Sequence, residues 1–138
     1  MSDSRNPRWL GAALLAGVLY LVIGVVSSAL AGAAATPKTQ FFWRFSAFVM
    51  SGLVFAAHLA LEHFRLRRAT WPAAWHTSMG VAFGGFAFAL AANIHDLGSA
   101  SGYRPRMLLA LVAWPLVTAV PALVVALVAA ALARRIAV

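Results

Sequence analysis

Five polar residues with regular spacing lie along one largely apolar segment of this chain. Arg44, Ser51, His58, Glu62 and Arg65 are separated by seven, seven, four and three positions. At about 100° per helical residue, all five fall within a sector of roughly 60° on one helix face. Ionisable groups on such a face are costly to bury without partners, so they are expected to face the protein interior or water. The pattern predicts a polar pathway along this helix.

Glu62 is the centre of the first cluster of ionisable side chains. His58 precedes it by four positions on the same helix face, and His63 and His76 are expected at a similar depth. Because histidine titrates near neutral pH, His58 and Glu62 predict a proton relay. His76 adds a third ligand for a weaker alternative, a metal site, and a haem between His58 and His76 is weaker still. The alternative is a purely structural role, in which Glu62 pairs with Arg65 or a histidine and holds the helix ends together.

A second polar cluster is expected at the other end of the same helix, formed by Arg44, Asn93, His95, Asp96, Arg104 and Arg106. Asp96 is the expected counter-charge of Arg44. One interpretation is an anchoring ion pair, with the long basic side chains reaching toward water. The other is a vestibule of net positive charge that attracts anions.

The composition excludes several classes of protein. The chain of 138 residues is 63% hydrophobic and 10% charged, whereas a soluble domain has about 25% charged residues. It contains no cysteine and only three acidic residues, so thiol chemistry is excluded, and neither a Gly-x-Ser-x-Gly nor an HExxH motif is present. We therefore predict no cofactor and no enzymatic activity. The net charge of +8 lies at the ends of apolar runs, which argues against nucleic-acid binding.

Four apolar segments must position these residues. They cover residues 9–35, 41–64, 72–96 and 106–133, each long enough for the roughly 20 residues that cross a bilayer as a helix. Residues 31–33 resemble a signal-peptide cleavage site, but the first run is far longer than the 7–15 apolar residues of a signal peptide. The sequence thus predicts an all-α integral membrane protein, a single transmembrane domain over residues 1–138. Because the links are short, we expect an up-down bundle of four helices in which successive helices are neighbours.

The basic residues that flank the spans predict the orientation. One side carries seven of them, Arg5, Arg8, Arg65, Arg67, Arg68, Arg134 and Arg135, and the other carries four, Lys38, Arg44, Arg104 and Arg106. Because the side richer in Lys and Arg faces the cytoplasm, both termini are expected there. The predicted location is a bacterial cytoplasmic membrane.

Small residues and prolines predict how the spans pack. Gly24, Ser28 and Gly32 share one face of span one, and Gly80 and Gly84 share one face of span three. In lipid, small residues allow close helix contact, either within the bundle or in a homo-oligomer. Pro115 and Pro121 predict a kink or hinge in span four, with the Thr118 hydroxyl satisfying a carbonyl that they free.

Three functions agree with these features. The first is a channel or transporter, alone or as an oligomer, with its pathway along span two. Its candidate residues are Arg44, Ser51, His58, Glu62, His76, Asn93, His95 and Asp96. The second is a non-catalytic accessory subunit of a larger membrane complex. The third is a metal- or haem-binding membrane protein that uses His58, Glu62 and His76.

Overall fold

The computed structural model describes residues 8–65, 69–98 and 106–136. Within them the chain forms α1 (Arg8–Gly32), α2 (Pro37–Ala60), a π-helical turn (Leu61–Arg65), α3 (Thr70–Leu97) and α4 (Met107–Ile136). The described residues contain no strand, so the predicted all-α class is confirmed. All four helices are long and apolar enough to cross a membrane.

Helix α2 begins earlier than the predicted span because Pro37 starts it. The backbone of Thr36 is extended, and its hydroxyl accepts a hydrogen bond of 3.2 Å from the Thr39 amide. Proline suits the first helical position, since its fixed φ is already helical and no partner is needed for a missing N–H. The predicted span, which began at residue 41, therefore missed the first four residues of α2.

The start of α3 also differs from the prediction. The helix already includes Thr70, and Ala69 occupies the N-cap without a side-chain hydrogen bond. Instead of capping α3, the Thr70 hydroxyl accepts a hydrogen bond of 3.3 Å from Arg134 near the end of α4. This contact joins the beginning of α3 to the end of α4.

Helices α1 and α3 run parallel and pack closely through small residues. A Cβ on Gly17 would lie 2.9 Å from Phe83 Cβ, and one on Gly84 would lie 2.5 Å from Tyr20 Cβ. One turn further along, the Phe88 ring occupies the space beside Gly24. Among the glycines predicted to mediate packing, Gly24, Gly80 and Gly84 do so. A Cβ on Gly32 would meet nothing within 4 Å, and Ser28 is exposed.

Helix α4 runs antiparallel to α3 along its length. The Ser78 hydroxyl donates to the Ala119 carbonyl oxygen at 2.7 Å, and the Asn93 side-chain amide donates to the Met107 carbonyl oxygen at 2.9 Å. Helix α4 continues unbroken through Pro115 and Pro121. The Thr118 hydroxyl donates to the carbonyls of Trp114 and Pro115. Those carbonyls are not the ones four residues before each proline, so the predicted role of Thr118 was wrong.

The helices follow the spatial order α2, α1, α3, α4. Helix α3 packs mainly against α1 and α4, while α2 packs mainly against α1 and touches α3 at few positions. The expectation that α2 and α3 are close neighbours was therefore wrong over most of their length. The small-residue contact between α1 and α3 brings these two helices together, which keeps α2 apart from α4.

The side chains in the interior of the bundle are smaller and more polar than those on its surface. Among the described residues the buried hydrophobic positions are alanines apart from Leu59, and the largest fully buried side chains are Glu62, Thr77 and Ser78. Phe48 is 77% exposed and Leu109 is 71% exposed. A water-soluble domain has the opposite distribution, with its large apolar side chains inside.

Candidate functional site

The candidate site is built around Glu62, at the inner end of α2. Glu62 lies in the π-helical turn Leu61–Arg65, and its side chain is fully buried. Single π-helical turns are rare, and those that occur are frequently found at functional sites. The sequence predicted an uninterrupted α-helix here, and no feature of the sequence signals the turn.

His76 is the direct partner of Glu62. With a proton on Nδ1, the His76 ring donates a hydrogen bond to Glu62 Oε2 at 2.9 Å. The Trp9 ring stacks on the His76 ring, with the ring centroids 4.5 Å apart and the planes 12° from parallel. Trp9 therefore fixes the plane of the imidazole while Glu62 holds one of its nitrogens. The spacing of Trp9 gave no sign of this contact.

His58 lies on the other side of the carboxylate. Its Nε2 is 4.0 Å from Glu62 Oε1, a distance too long for a direct hydrogen bond. The His58 ring is buried, and neither nitrogen has a hydrogen-bond partner among the described residues. Gly80 provides the space for this ring, because a Cβ at that position would lie 3.0 Å from His58 Cε1 and Nδ1.

We call His58, Glu62 and His76 the Glu62 cluster. The sequence predicted that these residues meet, and the structure brings them together from α2, the π-helical turn and α3. Both ion pairs between described side chains are pairs of Glu62 with these histidines. The alternative partner Arg65 has a side chain outside the described residues. His63 contacts Phe64 edge-on and forms no bond with Glu62.

The Glu62 cluster can hold a proton in more than one position. An imidazole and a carboxylate joined by a hydrogen bond can exchange one proton, and His58 offers a second titratable ring on the same carboxylate. In the described parts of the chain, no three His, Asp or Glu side chains are arranged to hold one metal ion. The hydrogen bond between Glu62 and His76 has the geometry that proton exchange between an imidazole and a carboxyl group requires.

The predicted outer cluster does not assemble around Arg44. The Arg44 side chain is exposed and forms no ion pair with Asp96, since α2 packs mainly against α1 and touches α3 at few positions. Asn93 is buried, and its amide bonds to the carbonyls of Ala89 and Met107 serve helix packing. His95 is exposed and Asp96 is half-buried. Arg104 lies outside the described residues, and Arg106 is exposed before α4.

A cavity that the sequence did not predict lies where α2 and α4 fail to meet. Its volume is about 530 Å³, and its lining includes Tyr20, Ser51, Phe55 and Thr118. A smaller groove of about 350 Å³ adjoins it toward the outer end and includes Arg44. Ser51 and Arg44, both on the predicted polar face of α2, therefore line neighbouring spaces rather than one cluster.

Comparison of this chain with protein-family models, with curated proteins and with solved structures finds no match.

Proposed function

We propose that this chain is an integral membrane protein with four transmembrane helices. Each helix is long and apolar enough to span a bilayer, and the largest apolar side chains lie on the outside of the bundle. In lipid this distribution is favourable, because the apolar surface meets hydrocarbon while small residues allow the helices to approach closely. The bias of basic residues supports a bacterial cytoplasmic membrane with both termini in the cytoplasm.

We further propose that the protein conducts protons, as a small proton channel or a proton-coupled transporter. The observation that carries this proposal is the fully buried Glu62 between two histidines in a membrane-spanning helix. An ionisable residue in such a helix is costly and commonly marks an ion or proton pathway. A purely structural role would need only one polar partner, whereas His58 adds a second titratable group.

The polar face of α2 supplies the rest of the proposed route. It leads from the groove at Arg44, along the cavity at Ser51, to the buried His58. His58 exchanges a proton with Glu62 after a small side-chain movement or through a bridging water, since 4.0 Å separates them. When His76 is in the other tautomer, with its proton on Nε2, its Nδ1 accepts the proton from protonated Glu62 across their contact of 2.9 Å, and the ring then releases a proton from Nε2. This route lies within one bundle and requires no second copy of the chain.

Proton flux into liposomes tests the proposal. Purified protein is reconstituted with a trapped pH-sensitive dye, and a potassium gradient with valinomycin supplies the driving force. We expect the wild-type protein to acidify or alkalinise the lumen faster than protein-free liposomes. Glu62→Gln and His76→Asn should reduce the rate to that of protein-free liposomes, because both retain polarity but cannot titrate.

His63→Gln is the matched control, since this histidine lies next to Glu62 in sequence and forms no bond with it. It should retain the wild-type rate. A wild-type protein without flux would contradict the proposal and favour the accessory-subunit alternative. A Glu62→Gln variant with full flux would exclude the Glu62 cluster from the route.

A further inference from the structure

The groove at Arg44 and the cavity between α2 and α4 form two adjoining spaces of different polarity. Gly24 and Phe88 line both of them, so the two spaces meet at this pair of residues. The outer groove contains the polar side chains of Ser27, Ser28, Gln40 and Arg44. The cavity wall is largely apolar, and it includes Phe48, Phe55 and Trp114. A ligand that fills both spaces needs a polar head and an apolar chain.

Arg44 gives the polar end its charge preference. Its guanidinium forms no ion pair with a described acidic side chain, and none of the described acidic residues lines the groove. Ser27, Ser28 and Gln40 add hydroxyl and amide donors around it. The guanidinium fork matches a phosphate group in shape and charge. With no acidic residue in the groove to hold a second, cationic part, a head of net negative charge fits best.

The depth of the two spaces matches one leaflet of a bilayer. Arg44 lies seven residues after the start of α2 at Pro37, and Phe55 lies eleven residues beyond Arg44. At 1.5 Å per residue, the distance from Arg44 to Phe55 along the helix is about 16 Å. The hydrocarbon core of a bilayer is about 30 Å thick, so one acyl chain of a single leaflet has this length.

We propose that the groove and cavity bind an anionic phospholipid of the outer leaflet, with its phosphate at Arg44 and one acyl chain between α2 and α4. The second chain remains in the bilayer, since the cavity lining includes Phe48 and Val117, whose side chains are exposed on the outside of the bundle. A cavity of about 530 Å³ has the size of a small-molecule site. The proposal rests on the bilayer placement given above. The groove and cavity are also the outer part of the proposed proton route, so a bound lipid and an open route exclude each other.

Photocrosslinking of the full chain in a neutral detergent tests this proposal. The probe is phosphatidylglycerol with a diazirine in the middle of one acyl chain. The comparison probe is phosphatidylethanolamine, which carries the same chain and a zwitterionic head. Intact-protein mass spectrometry gives the labelled fraction, and peptide mapping gives the position. We expect phosphatidylglycerol to label the wild-type protein several-fold more, at residues of the cavity wall.

Two variants distinguish binding of the lipid head group from binding of its acyl chain. Arg44→Gln should lower phosphatidylglycerol labelling to the level of phosphatidylethanolamine, whereas Arg44→Lys should retain part of the preference. Gly52→Phe should block labelling by both probes at the cavity, because Gly52 lines it and a Cβ there meets nothing within 4 Å. The side chain therefore enters the cavity without a clash at its first atom.

The matched controls are Arg106→Gln and Gly11→Phe. Arg106 is an exposed cation that does not line the groove, and a Cβ added to Gly11 would meet nothing within 4 Å and lies away from the cavity. Both variants should be labelled like the wild-type protein. Equal labelling by the two probes, labelling that Arg44→Gln leaves unchanged, or crosslinks outside the cavity would each overturn the proposal. None of these results depends on proton flux.

Discussion

The energetics of Glu62 depend on its partners. A carboxylate that is fully buried in a largely apolar helix loses its hydration, and this loss costs several kcal/mol in the absence of compensation. The hydrogen bond of 2.9 Å to His76 supplies direct compensation, and stacking with Trp9 holds the ring in place for it. The local stability of the bundle is therefore coupled to the same contact that the proposed function uses.

A double-mutant cycle measures this coupling. His76→Ala leaves the Glu62 carboxylate without its hydrogen bond, so we expect a loss of about 3 kcal/mol in the free energy of unfolding. Glu62→Gln removes the charge but keeps a polar group beside His76, so it should cost about 1 kcal/mol. The double variant should lose less than the sum of the two, because no buried charge remains unpaired. Equilibrium unfolding in mixed micelles gives the three values.

Loss of the Trp9 stacking contact does not distort this result. His76→Ala removes that contact in the single variant and in the double variant alike, so its contribution cancels in the interaction energy. Additive losses would mean that Glu62 and His76 are not energetically coupled. His63→Ala, combined with Glu62→Gln, provides the additive reference.

Two predicted pairs show why residue spacing identified one contact and not the other. His58 and Glu62 lie on a single helix, so the helical period alone places them together. His76 joins them because a short link returns the chain at the same depth. The Arg44–Asp96 pair depended on α2 and α3 remaining close over their full length, and the sequence does not specify that distance.

The close contact between α1 and α3 determines how the four helices are arranged. A Cβ on Gly84 would lie 2.5 Å from Tyr20 Cβ, and this atom is bonded directly to the backbone of α1. Neither atom is the flexible end of a side chain, so an added methyl group must push the helices apart. The spacing of Gly80 and Gly84 predicted a packing face but not its partner, since glycine fits equally well against any helix.

Gly84→Ala should destabilise the protein by about 1–3 kcal/mol, as expected for overpacking at a close contact. Gly52→Ala is the matched control, because it makes the same chemical change in the middle of α2 where a Cβ meets nothing within 4 Å. It should be neutral or stabilising by up to about 1 kcal/mol, since alanine favours the helix. Thermal unfolding in detergent compares the two. Equal effects would contradict the close contact of α1 with α3.

The distribution of side-chain size explains the order of helices in the whole molecule. Composition and length were sufficient to predict four helices, because every long apolar run formed one. They could not predict that α1 and α3 pack together in the middle, since alanine occurs in all four helices and glycine in three of them. The cavity between α2 and α4 results from that packing, so it could not be predicted from the sequence either.

The orientation of the whole molecule can be tested with two neutral substitutions. The chain contains no cysteine, so Ala35→Cys and Ala69→Cys each create a single thiol. Ala35 is exposed in the link between α1 and α2, and Ala69 is exposed immediately before α3. Neither substitution changes the balance of basic residues on which the predicted orientation depends.

In right-side-out vesicles, a membrane-impermeant maleimide should label the Ala35→Cys variant, whereas the Ala69→Cys variant should react only after detergent is added. This result requires that α2 crosses the bilayer, because the two thiols lie at its opposite ends. The reverse pattern would keep the four spans but place the termini outside, with Arg44 at the cytoplasmic leaflet. Labelling of both variants without detergent would mean that α2 does not cross, and the buried Glu62 would then lie in no transmembrane pathway.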